Sequence, residues 1–266
     1  MNNNTLTIRT VFGVVLASIL SALFVGWLVM WVGLSTTETP SKLYTFLSVI
    51  IGQSFMLVPL LGFLKLRNEP IAERLRLNPV SNKIVLSAIS FAFGLTVLSD
   101  ELDRIIQIFF PQPDYIVDLN MALRPESAIG FILLFFAIVV IAPVGEELLF
   151  RGFLQQFLEQ HWKDVTRAIL VTSLFFAIIH MNSYWLIQIY ILGIFLGYLT
   201  WRTGSVIPSL ILHSINNGTA LIFSFTEFNL NNIYLWHDHV APWIIILSIG
   251  LFTYGLKEIN ASAGPK

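Results

Sequence analysis

The sequence predicts an all-α protein, a polytopic membrane helical bundle of about eight transmembrane helices, and three observations lead there. Hydrophobic residues make up 56% and charged residues only 12%, about half the charged share of a soluble domain. Mean hydropathy is +0.76, so a bilayer is the expected solvent. Apolar runs long enough to cross a bilayer recur along the chain, and a helix is the form in which each run satisfies its own backbone polar groups.

The first run, 11–33, is longer than a signal-peptide core and no A-x-A pattern follows it, so it reads as a retained span. Further spans are expected at 44–64, 84–98, 128–150, 168–180, 184–201, 206–225 and 241–256, the third and fifth of them short. The segment 99–126 carries Pro111 and Pro113 in its middle and is expected to lie at an interface rather than to cross. Basic residues set orientation: Lys65, Arg67, Arg74, Arg76 and Lys83 crowd between the second and third spans, which places that loop in the cytoplasm. Arg9, Lys163, Arg167, Arg202 and Lys257 then fall inside with it, while Asp100, Glu101, Asp103, Asp114 and Asp118 fall outside. Both termini are expected in the cytoplasm and the chain in the plasma membrane. No internal repeat or soluble domain is visible, so 1–266 reads as one integral membrane domain with its motif-bearing core at about 128–225.

Cysteine is absent, which excludes disulfides, thiolate catalysis and cysteine-ligated metals. A net charge of −1 with scattered basic residues argues against nucleic acid as a partner. The partners that remain are the lipid bilayer and a membrane protein or peptide.

Within the fourth apolar run stand Glu146, Glu147 and Arg151. Each charge at a helix centre costs about 2.5 to 3.5 kcal/mol, so three together require a reason. Glu147 and Arg151 are four apart and share a helical face, where they can pair. Glu146 points about 100° away from Glu147, and a carboxylate so desolvated is suited to exchanging protons near neutral pH. A second intrusion is His180, after Phe176 in an otherwise apolar run. A third is His213 with Asn217, one turn apart on one face, whereas Asn216 lies nearer the neighbouring face. If the fourth helix continues to His161, Glu146 is about 22 Å from that end and His180 about 20 Å from Arg167, so their depths are similar. His213 comes out about 14 Å from Gly204.

A glutamate beside a histidine can deprotonate water, and a second histidine with an amide can hold a tetrahedral oxyanion, so hydrolysis of an acyl bond suits these parts. Glu146, His180 and His213 also form a familiar zinc ligand set with an open position for water. Sequence alone leaves both mechanisms open.

These residues resemble the CPBP or Abi family, the CAAX prenyl endopeptidases and bacteriocin-processing membrane enzymes. The pattern E-E-x-x-x-R, then F-x-x-x-H, then H-x-x-x-N reads here as Glu146-Glu147 with Arg151, Phe176 with His180, and His213 with Asn217, in that order over roughly 141–219. The resemblance implies a helical intramembrane endopeptidase with Glu146, Glu147, His180, His213 and Asn217 as the candidate catalytic set. Glu146 and His180 would activate water, and His213 with Asn217 would hold the oxyanion. Glu147 and Arg151 would be more structural. It leaves a metal optional and the substrate open. The same scaffold is compatible with a binding protein for bacteriocin self-immunity or sensor regulation. A transporter is a weaker fit, since no inverted repeat is visible.

Gly193-x-x-x-Gly197 is expected to serve helix packing. His237-Asp238-His239 is expected to be a solvated outer loop.

Overall fold

In the computed structural model, which describes residues 6–36, 42–225 and 233–263, the chain is almost wholly helical. Helix α1 spans Ile8–Thr36. The second span, Lys42–Leu66, is broken into α2 (Lys42–Phe55) and α3 (Leu57–Leu66). The break has a local cause, because Pro59 lacks the N–H that would bond the Phe55 carbonyl. A single turn, α4 (Ile71–Arg74), lies in the basic loop. Helix α5 covers Asn82–Phe109 and α6 covers Asp114–Leu123. A continuous helical run, α7, extends from Ala128 to Trp162. Then follow α8 (Val165–Ile179), α9 (Leu186–Thr203), α10 (Ile207–Phe225), a hairpin of β1 (Leu235–Trp236) and β2 (His239–Val240), and α11 (Pro242–Ser262).

Among the described residues, six helical runs are long and apolar enough to cross a bilayer: α1, α2 with α3, α5, α7, α9 and α11. All eight expected spans are helical, but two fall short of that standard for physical reasons. Helix α8 has only 15 residues, about 22 Å of helix. Helix α10 is long enough at 19 residues, yet carries Ser209, His213, Ser214, Asn216 and Asn217. Large apolar side chains such as Leu20, Phe24 and Trp27 on α1 and Ile246 and Leu247 on α11 are exposed, as on lipid-facing helices. The chain is a multi-pass membrane protein.

The described chain divides into two compact units, residues 1–78 with 125–172 and residues 79–124 with 173–266. In the first, α7 packs against α2 and α3. Ser127 caps α7 by accepting from Gly130 N at 3.1 Å, and Lys163 ends it in the left-handed conformation. Two π-helical segments, Phe136–Ile141 and Leu148–Gln155, interrupt it. The first ends two residues before Pro143, whose missing N–H a regular α-helix would leave as a gap in its ladder.

In the second unit, α5 packs closely on α11. A Cβ placed on Gly94 would stand 2.5 Å from Phe252 N and 2.6 Å from Ser248 O, both backbone atoms. Phe91 fills the same seam, 4.8 Å from the Phe252 ring and 5.7 Å from that of Phe195. Gly94→Ala is therefore expected to push the helices apart and cost about 1–3 kcal/mol, as overpacking does. Thermal unfolding in detergent, followed by tryptophan fluorescence, should show a lower midpoint, and an unchanged one would remove the close approach as a stabilising feature.

One boundary differs from the sequence expectation. Helix α5 runs on from Leu98 to Phe109, because its acidic turns find partners from elsewhere in the chain: Asp100 accepts from the Tyr234 hydroxyl at 2.9 Å and Asp103 from Gln188 Nε2 at 3.1 Å. In the 237–239 segment His237 and Asp238 are exposed, as expected, and the segment in addition forms a turn tied back to α5. His237 and Asp238 both adopt positive φ (50° and 65°), the geometry of a two-residue hairpin turn. His239 Nδ1 lies 2.8 Å from Glu101 Oε1, and Val240 N donates to Glu101 Oε2 at 2.8 Å.

Candidate functional site

Glu146, Glu147 and Arg151 lie on α7, in the first unit, where the short α-helical stretch Ala142–Glu147 gives way to the second π segment. Such π insertions occur frequently at functional sites. Glu147 and Arg151 are fully buried and paired, Arg151 donating through NH1 to Glu147 Oε1 at 2.9 Å. The i, i+4 pairing expected from sequence is therefore present. Glu146 is 6% exposed, a buried carboxylate beside that pair.

The α7 helix continues past Arg151, as the depth comparison required, and the basic loop holds its far end. Arg76 grips Glu159 through both terminal guanidinium nitrogens, one bond measuring 3.1 Å. Gln155 Nε2 donates to the same carboxylate at 2.8 Å, and Gln156 Nε2 donates to the Glu73 carbonyl at 3.1 Å.

His180, His213 and Asn217 belong to the second unit. His180 follows the last residue of α8, and its Nδ1 lies 2.7 Å from the Phe176 carbonyl. A carbonyl only accepts, so Nδ1 carries a proton. The Phe176 ring meets both imidazoles edge-on, at 4.8 Å for His180 and 5.7 Å for His213. The phenylalanine four residues before His180 thus has two uses: its carbonyl fixes the tautomer and its ring spaces the two histidines. Gly193 on α9 lies against Ser173 on α8, consistent with the packing use of Gly193-x-x-x-Gly197. His213 is 2% exposed on α10 and Asn217 is half-buried one turn later. The structure thus brings together Glu147 with Arg151 in one unit, and His180 with His213 in the other.

A cavity of about 500 Å³ that no sequence motif signals lies within the second unit, lined by residues of α5, α6, α9 and α10 and by Gln112, Trp185 and Tyr234. Asn216, set aside in favour of its neighbour Asn217, is on its wall. Burial and the adjacent Asp100 push the Tyr234 hydroxyl above the ordinary phenol range, so it stays protonated and donates to Asp100.

Residues 128–219 match the family model described as Type II CAAX prenyl endopeptidase Rce1-like. That Rce1-like segment contains all seven motif residues, from Glu146 to Asn217, and supports membrane endopeptidase as the general class. No curated protein and no solved structure matches the chain.

Among the described residues, no three His, Cys, Asp or Glu side chains gather at metal-ligand spacing within either unit. The bond between His180 Nδ1 and a backbone carbonyl is of the kind that metal-bound imidazoles make through the nitrogen that does not touch the metal.

Proposed function

We propose that the chain is an intramembrane endopeptidase of the CPBP type. It hydrolyses peptide bonds in a membrane-associated protein or peptide. Glu146 and His180 activate the attacking water: Glu146 takes its proton, and His180 accepts a hydrogen bond at Nε2 and orients it. His213 and Asn217 donate to the oxyanion of the tetrahedral intermediate. Glu147, paired to Arg151, holds the helix carrying Glu146 in register and keeps a buried charge beside the reaction. The observation that carries this reading is the order of the three motifs within the Rce1-like segment, supported by the fixed tautomer of His180. If zinc is resident, Glu146, His180 and His213 would hold it, and it would acidify a bound water. The membrane proposed is the plasma membrane, and the charge distribution favours both termini in the cytoplasm.

The test is cleavage of a quenched peptide library by the purified, solubilised protein, with zinc measured on the same samples. His180→Ala is expected to lose about 100-fold or more in rate. Zinc near one per chain that falls in the variant means a metal-held water, and the same loss without zinc means direct activation. An unchanged rate would sink the mechanism. Alanine variants that still support the cellular phenotype would point instead to a binding role on this scaffold, as in bacteriocin immunity.

A further inference from the structure

The cavity in the second unit has an acidic, acceptor-rich wall. Asp103 accepts from Gln188 Nε2 at 3.1 Å and from Gln107 Nε2 at 2.6 Å. No cation among the described residues pairs with it. Asp100 differs, being bridged to Arg104 at 3.0 Å. Two further acceptors on the wall are unused. Thr96 is 7% exposed and its Oγ1 has no hydrogen-bond partner among the described residues, and the same holds for the buried Gln188 Oε1. A buried polar atom with no partner costs about 1–3 kcal/mol. A ligand that brings donors would recover that cost. The lining also holds apolar side chains, among them Trp185, Leu192 and Phe223, which suit a hydrocarbon stem.

We propose that this cavity is a subsite for the side chain of a lysine or arginine in the peptide substrate, its charged head at Asp103, Gln188 and Thr96 and its methylene stem along Trp185 and Phe223. The proposal rests on the endopeptidase reading, because Asn216 on the cavity wall adjoins Asn217, the proposed oxyanion donor. A basic side chain seated here would occupy the face of α10 next to the one that carries Asn217. An amine-headed phospholipid fits less well, since its phosphate, two carbons from the ammonium, would face Asp100 and Asp103 with like charge.

The experiment measures binding apart from cleavage. A short fluorescent apolar peptide with one central lysine is titrated into the solubilised full chain, alongside the same peptide with norleucine in place of lysine. On the proposed orientation the cavity mouth lies away from the cytoplasm, and in detergent both faces are open. Lysine is expected to bind about 10- to 100-fold more tightly, as a charge-assisted hydrogen bond implies. Asp103→Asn should abolish that preference while the norleucine peptide binds as before, which also reports that the variant is folded. The same titration on Glu146→Gln should keep the preference although cleavage is lost. Equal binding of the two peptides to the unaltered protein would overturn the subsite, as would displacement of the lysine peptide by phosphatidylethanolamine. Retained preference with unaffected cleavage in Glu146→Gln would leave the subsite standing and overturn the catalytic reading instead.

Discussion

Arg151→Ala is expected to unfold the protein or come close to it. Both members of the Glu147–Arg151 pair are fully buried and 2.9 Å apart. Removing one partner strands the other charge without water, which costs about 3–5 kcal/mol, against a total stability of about 5–15 kcal/mol for a typical domain. Glu147→Ala should cost a similar amount. The double variant Glu147→Leu with Arg151→Met removes both charges and keeps volume, so it should recover most of the loss. Seven tryptophans make intrinsic fluorescence a convenient probe of melting in detergent, whereas thiol-reactive dyes have no cysteine to label. A double variant that melts as low as either single one would mean that the pair is needed for its charge and not merely tolerated. Single variants melting with the unaltered protein would show that the buried pair carries no stability.

Hydropathy made most of the fold legible, because in a bilayer every crossing segment must be apolar and self-bonded. It failed where polar residues find partners far along the chain. The expected span stops at Leu98, before the acidic residues, yet α5 runs on to Phe109 because Tyr234, His239 and Gln188 satisfy Asp100, Glu101 and Asp103. The hairpin at His237-Asp238 was hidden because that dipeptide lacks the asparagine or glycine that normally signals two positive φ values. The π segments around Glu146 and Glu147 have a partial sign in Pro143 and no other. Among site residues, those set in apolar runs stood out: Glu146, Arg151, His180 and His213. The cavity did not, since Thr96, Asp103, Gln188 and Asn216 are unremarkable polar residues on three different helices until folding gathers them.

Glu146→Gln is expected to reduce cleavage by about 100- to 10,000-fold while leaving the melting temperature close to that of the unaltered protein. Glutamine keeps the volume of the side chain and one acceptor oxygen, so what it removes is the capacity to take a proton from water. At position 147 the same substitution acts differently. Glu147 is the counter-charge to Arg151, so Glu147→Gln should lower stability along with activity. The two adjacent glutamates are thus separable by measuring rate and melting on each: one substitution should move the rate alone, the other both. The helix supplies the reason, since neighbouring residues project about 100° apart and cannot share one environment. Glu146→Gln cleaving at the unaltered rate would remove Glu146 as the base, and a shared fall in rate and melting temperature for both variants would make the whole E-E-x-x-x-R motif a structural element.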